Sequence, residues 1–439
     1  MAAERSRVSG VPVSTRRTFL SLLGALGAGG ALAACGGDSG GLDNGGGSGG
    51  GTPTLRQWYH LYGESGTEQA VKRYAEGYGK ATVEVQWTPG DYNSKLASGL
   101  LSDSGPDVFE YGEFNVDMVR SGQVVPLDDI VGPVRDDYTD VDITATSLDG
   151  SIYGVKIVDD TGFIYYRKSL LAAAGVQPPT TMDELIDASR ALDRGGVKGL
   201  FIGNDAGVTP AFGGGALLDP VLWMAGTANL TPDNKVGFTT PEAKDAFRKL
   251  RELSESGSLL LGAPTDYWDP SAFTQELTAM QWCGLWAMPK IQEALGDDFG
   301  IVPWPALSAT VGKPSTFLGG WTSMVSAKAR DIDMAKDFTK WLWIDNAEAQ
   351  EDFNLNYGFH IPPRKSLAAG AQKLQEGVAA EALRIFNESA VARNPMWTPK
   401  MKSAFADAAT AIVRGGGDID AELGKAQQAV EAELARLAA

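Results

Sequence analysis

Between Thr54 and Gly112 the chain alternates two periodicities, and that alternation narrows its fold more than any other feature. "TLRQWYHLY" is β-rich, and "ATVEVQWT" alternates apolar and polar residues as a strand does. Between them, "ESGTEQAVKRYAEGYG" places apolar and aromatic residues at helical spacing after an acidic, Ser/Thr-containing start. "DYNSKLASGLLSD" reads as a helix capped by Asp91, and "PDVFEYG" as a strand opened by Pro106-Asp107. A β-α-β-α-β succession predicts a mainly parallel sheet with helices on both faces. Ligands of such sheets lie at the carboxyl ends of the strands. His60, Tyr62, Gly63 and Glu64 follow the first strand, and Tyr111 and Glu113 follow the third.

The pattern then repeats at a distance. Ile152 to Val158 and Gly162 to Tyr166 read as strands separated by Asp159-Asp160-Thr161. A helix is expected from Met182 behind a Thr181/Glu184 capping box, and another after Thr240-Pro241. "MQWCGLWAM", "DFGIVPWP" and "STFLGGWTSMVSA" form a late strand-rich block, followed by the helix "DIDMAKDFTKWLWI". From about Ala371 onward the chain is mostly amphipathic helix, and no internal repeat of solenoid or propeller period is present. A chain that starts one α/β unit, builds a second and returns implies two discontinuous lobes, a multi-strand hinge and a cleft between them. The roughly 385 residues after the leading segment also exceed one hydrophobic core.

That leading segment carries its own signals. "STRRTFLSLLGALGAGGALAAC" joins paired arginines, Arg16 and Arg17, to Phe19-Leu20 and an apolar run, as an export signal of twin-arginine type does. Leu32-Ala33-Ala34-Cys35 resembles a lipoprotein box, which implies cleavage before Cys35 and lipid attachment to its thiol. The Gly-rich run after Cys35 is then a tether, and ~16 residues of flexible coil reach roughly 20–25 Å. Segments 1–34 and 35–53 are therefore assigned as export signal and tether. The first holds Arg5, Arg7, Arg16 and Arg17 against Glu4, so the charge of −17 becomes −20 without it. A field this negative argues against nucleic acid and against broad contact with anionic lipid. Cys283 alone remains, so neither an intramolecular disulfide nor a cysteine metal site is expected. The two histidines, His60 and His360, lack a zinc-hydrolase spacing. No metal, cofactor or catalytic motif is expected.

Taken in order, the blocks "WYHLYGE", "DYNSKL", "GPDVFEYGE", "GSIYGVKIVDDTGFIYYRKSLLAAAGV", "GLWAMPKI" with "FGIVPWP", "FLGGWTSMVSA" with "AKDFTKWL", and "GFHIPPRKSL" resemble the extracellular solute-binding proteins of bacterial ABC importers. The subgroup is the one that includes maltose-binding protein and other sugar binders. The resemblance spans Leu55 to about Leu437. It implies an α/β, two-lobe periplasmic-binding-protein fold with discontinuous lobes, a multi-strand hinge and C-terminal helices. The lobes would comprise 54–158 with 322–360, and 159–321 with 361–439. It also implies a non-enzymatic monomer on the outer face of the cell membrane that captures a di- or oligosaccharide and passes it to a membrane permease. A glycoside hydrolase-like enzyme and a binder of a glycerol-phosphodiester-type solute are the alternatives.

A neutral sugar offers apolar ring faces and a belt of hydroxyls, so its site needs aromatic faces and carboxylates, amides or arginine. Trp286 and Trp321 match the family's cleft, and Gly320 lets backbone approach a ligand. Trp223 and Trp268 fall in loops of the second lobe, each balanced between site and packing, and Trp397 is a further cleft candidate. Trp58 reads as core, and Trp341 and Trp343 as core or surface filler on an amphipathic helix. Among polar residues, Glu64 is the leading carboxylate, with His60 and Tyr62 in the same loop. Glu113, Asp160 and Arg364 match family contact positions. Asp91 reads as a helix cap first and a contact second, and Tyr111 completes the set.

Overall fold

A computed structural model of the chain describes residues 52–112, 114–208, 217–357 and 359–438. The export signal, Cys35, the tether as far as Gly51 and Glu113 lie outside the described residues.

The first sheet is built from β1 (Thr54–His60), β2 (Thr82–Thr88) and β3 (Val108–Tyr111), joined through α1 (Thr67–Glu76) and α2 (Tyr92–Leu100). β1 runs parallel to both β2 and β3, as expected. Two later strands complete the sheet. Trp321–Val325 enters antiparallel beside β3, and Val155–Val158 pairs antiparallel with it in turn. The sheet is thus mixed, because chain returning from the far part of the molecule meets β3 head-on. The expected strand Ile152 to Val158 also breaks at Tyr153-Gly154, leaving Ser151–Ile152 paired with Ser147–Leu148.

Strand periodicity places the side chains of β1. Leu55 and Tyr59 join Val71, Tyr74, Ile157 and Phe338 in one core, while Trp58 points to the other face with Tyr92, Leu96 and Phe109. Asp91 caps α2 by accepting from Ser94 N (3.1 Å), which fixes where that face is covered.

The second sheet has the strand order Gly300–Val302, Gly162–Tyr166, Thr278–Gly284, Lys198–Phe201. Its strands are packed on both sides. Ile164, Met280 and Trp282 face one core, and Phe163, Tyr165 and Cys283 the other. This explains why Thr278–Gly284, buried throughout, lacks strict polar alternation. The helices Met182–Leu192 and Pro241–Glu255 begin where the sequence places them, capped by Thr181 and Thr240. The C-terminal part is helical over Gly377–Ser389, Pro399–Val413 and Ile419–Ala438.

Two short segments, 159–161 and 318–320, run between the sheets, and a third, at Ile361, lies beside them. Asp159 and Ile361 exchange backbone hydrogen bonds (2.9 and 3.0 Å), and Gly319 N donates to Asp160 O (2.8 Å). Gly320 is the tightest point. Its φ is +92°, and a Cβ there would lie 2.0 Å from Val158 O. Gly320→Ala is expected to cost about 1–3 kcal/mol from backbone strain alone, read by urea unfolding. A variant as stable as wild type would show that the connectors yield.

Candidate binding cleft

The linking segments floor a cleft of about 730 Å³ lined from both sheets. Of the residues expected at the site, it brings together His60, Tyr62, Glu64, Asp160, Trp268, Trp286, Gly320 and Trp321.

One wall rises from the carboxyl end of β1. Glu110, on β3 and 1% exposed, organises it. Its carboxylate accepts from His60 N (2.6 Å), pairs with His60 Nδ1 and accepts from Tyr62 OH (2.7 Å). Tyr92 OH donates to the Glu110 carbonyl (2.7 Å). Burial, reinforced by Glu110, pushes the Tyr62 phenol well above its ordinary value. His60, so held, stacks on Trp321 with ring centroids 3.7 Å apart and planes at 16°. The wall is therefore a histidine–tryptophan stack rather than Trp321 alone.

The floor carries a buried charge relay. His360 Nδ1 lies 2.7 Å from Asp160 Oδ1, and Nε2 lies 3.4 Å from Glu64 Oε1. The second approach is an ion pair rather than a hydrogen bond, and Nε2, buried, has no hydrogen-bond partner. Burial opposes charge on the imidazole, but Asp160 and Glu64 outweigh it and raise His360 to about 10. Burial likewise raises the Glu64 carboxyl, and the neighbouring His360 more than reverses this, leaving it below the ordinary carboxylate value. The floor therefore presents an ionised carboxylate beside an imidazolium, a donor and acceptor pair matched to hydroxyl groups.

The opposite wall is aromatic. Trp286 sits in the turn after Thr278–Gly284 and donates its indole N–H to Trp268 O (2.9 Å). Tyr267, Trp282 and Phe317 continue the surface, with Asp205, Asp266, Asp269 and Lys290 around it.

The remaining expected residues stand elsewhere. Asp91 is an exposed helix cap and Tyr111 is half-buried on β3, neither in the cleft lining. Trp223 is buried at the end of a helix and borders a separate cavity with Asn229 and Arg393. Arg364, at the N-terminal cap of Lys365–Gly370, pairs with Asp137 and donates to Ile344 O (3.0 Å), and these partners hold it outside the cleft lining. Trp397 packs in the core against Phe238 and Phe405. Trp58 and Trp343 are core, as expected, and Trp341 is half-buried.

Sequence reasoning missed His360, Glu110, Tyr267 and Asp266 as parts of the site. A charged residue inside the apolar strand "VFEY" was the available signal for Glu110. Nothing local marks His360, whose partners are 200 residues or more away in sequence. Among the described residues no cluster of His, Cys, Asp and Glu is arranged to hold a metal, and no helix is long and apolar enough to cross a membrane.

A sequence model of the family described as bacterial extracellular solute-binding protein matches residues 69–382. The chain belongs to that family. This solute-binding protein is 26% identical over 358 residues to the diacetylchitobiose binding protein DasA of Streptomyces coelicolor, covering 76% of this chain and 79% of that one. In fold it is similar to the GacH receptor of Streptomyces glaucescens, solved unliganded and with acarbose, at TM-score 0.72 and 22% identity over 88% of this chain and 98% of that one. It is also similar to the cyclic alpha-maltosyl-1,6-maltose binding protein of Arthrobacter globiformis, at TM-score 0.67 and 25% identity over 88% and 99%. The α/β periplasmic-binding-protein fold expected from the sequence is thus matched by sugar-binding proteins of known structure.

Proposed function

We propose that this solute-binding protein captures a di- or oligosaccharide in its cleft and delivers it to the permease of an ABC importer. The observation that carries the reading is one cleft joining an aromatic wall, Trp286 with Trp268 and Tyr267, to the Glu64–His360–Asp160 floor. Stacking serves the ring faces, and charged donors and acceptors serve the hydroxyls. The diacetylchitobiose-binding relative supports a saccharide longer than one ring. A phosphodiester solute is less well served, since Arg364 is engaged by Asp137 outside the cleft lining and the cleft's own cations, Lys290 and His360, stand among Glu64, Asp160, Asp205, Asp266 and Asp269. In this reading the lobes 54–158 with 322–360 and 159–321 with 361–439 close on the ligand. The monomer is leashed to the outer face of the membrane by lipid on Cys35, after export through the twin-arginine signal.

The test is a titration of intrinsic tryptophan fluorescence on the full chain with mono- and disaccharides, maltooligosaccharides, chitooligosaccharides and glycerol phosphodiesters, with products analysed. A saturable change with an oligosaccharide and no cleavage is the expected result. Cleavage would make the protein a hydrolase. Binding of a phosphodiester alone, or of nothing in the panel, would overturn the saccharide reading.

A further inference from the structure

Among the large apolar side chains that the described residues expose, Trp268 is the one aromatic, and it lines the cleft at 55% exposure. A bulky ring held at the mouth of a site is costly to leave in water unless something keeps it there. The loop that carries it, from Ala263 to Pro270, has no strand partner, yet five of its eight carbonyls, those of Ala263, Thr265, Tyr267, Trp268 and Asp269, accept from side-chain donors.

Asn204 engages the first part. Its Nδ2 donates to Ala263 O (3.1 Å) and Thr265 O (3.2 Å), while its Oδ1 accepts from Ala263 N (2.7 Å). Its own backbone N–H donates to Asp266 Oδ1 (3.1 Å), which also accepts from Tyr267 N (2.8 Å). Gln281, fully buried in the central strand of the second sheet, holds the second part. Its Nε2 donates to Tyr267 O (3.2 Å) and Asp269 O (2.8 Å), and its Oε1 accepts from Phe273 N (3.0 Å). Trp286 Nε1 takes the carbonyl of Trp268 itself, and Asp266 O accepts from Asp269 N within the loop (3.0 Å). The donors and the acceptor of both amides are therefore used on this loop or the turn that ends it. Such side-chain bonding replaces a β-ladder and fixes the backbone without a neighbouring strand.

We infer that Asn204 and Gln281 are positioning residues that hold Trp268 as a preset outer plate of the cleft, and that this plate selects ligands with a second sugar ring. A ring presented at the mouth, beyond the His60–Trp321 stack and Trp286, adds nothing to a monosaccharide on the floor. It adds a stacking face to the next ring out. Presetting the plate removes the ordering cost that a mobile tryptophan would incur on binding. The inference rests on the saccharide reading for its ligand, but not for the clamp itself.

The test has two arms on the full chain. In the first, the protein is labelled with 5-fluorotryptophan, and the Trp268 resonance among the 11 tryptophans is identified by its loss in Trp268→Phe. Without ligand, Asn204→Ala, a half-buried site, is expected to shift or broaden that resonance, with that of its hydrogen-bond partner Trp286, and leave the tryptophans outside the cleft in place; Gln281→Ala, if it folds, does the same. An unchanged Trp268 resonance in Asn204→Ala overturns the clamp. In the second arm, Trp268→Ala and Asn204→Ala are expected to weaken a bound di- or trisaccharide about tenfold more than the matching monosaccharide. Equal loss for both lengths, or no loss, overturns the plate. If wild type binds no saccharide, the carbohydrate reading and the plate's ligand role fail together, while the fluorine arm still decides the clamp.

Discussion

His360→Gln is expected to lower unfolding stability at pH 6.5 by about 3–5 kcal/mol, the range for removing one partner of a buried charged set. The imidazolium is enclosed, and its removal leaves Asp160 and Glu64 near one another without the charge that offsets them. The pH dependence gives the sign. The imidazole is raised from 6.5 in the unfolded chain to about 10 in the folded one. The stability it contributes is therefore fully present below about 6.5 and is lost as pH rises toward 10. Wild type should become less stable across that window, and His360→Gln should show a flatter profile that meets wild type near its upper end. Urea unfolding at several pH values measures both. Parallel profiles for the two proteins would mean that His360 is neutral in the fold and that Asp160 holds it by an ordinary hydrogen bond.

Trp321→Ala is expected to weaken the captured saccharide about 10- to 100-fold, a loss of about 1.4–2.7 kcal/mol in binding, while Trp341→Ala leaves affinity unchanged. The two residues differ in surroundings rather than in kind. Trp321 lies at the start of its strand, stacked on His60 and facing the cleft. Trp341 packs against Tyr78 (ring centroids 5.2 Å) and Phe338 (6.1 Å), outside the cleft lining. Losing Trp321 also removes the surface on which His60 rests, so the variant loses both layers of that wall. Isothermal titration with the saccharide identified by the fluorescence screen measures the difference. Equal affinities in the two variants would remove the stack from the site.

Local signals carried far in this chain. Period-2 runs and capped helical runs located β1 to β3, α1 and α2, and the capping box at Thr181 and Glu184 marked its helix to the residue. These features are legible because each depends on residues within a turn or a strand of one another. The carboxyl-end rule for parallel strands was enough to single out His60, Tyr62 and Glu64, since a strand end is itself a local feature.

Residues whose role depends on distant partners were not legible in this way. Arg364 reads as a cleft cation until Asp137, more than two hundred positions earlier, is seen to hold it. Trp223 and Trp397 look like stacking faces, yet each has a core to enter, and a buried indole and a cleft indole are the same residue in a sequence. His360 shows the reverse case, an unremarked histidine made the centre of the floor by Asp160 and Glu64. By itself the sequence determined the α/β class, the elements around β1 and the candidate residues at their ends, because propensity, caps and periodicity act over a few residues. Only the tertiary structure decided which tryptophans face the cleft, that Trp321 enters antiparallel with His60 on its face, and that two acids share one buried imidazolium. Those outcomes follow from packing and charge pairing between segments that meet only when the chain returns on itself.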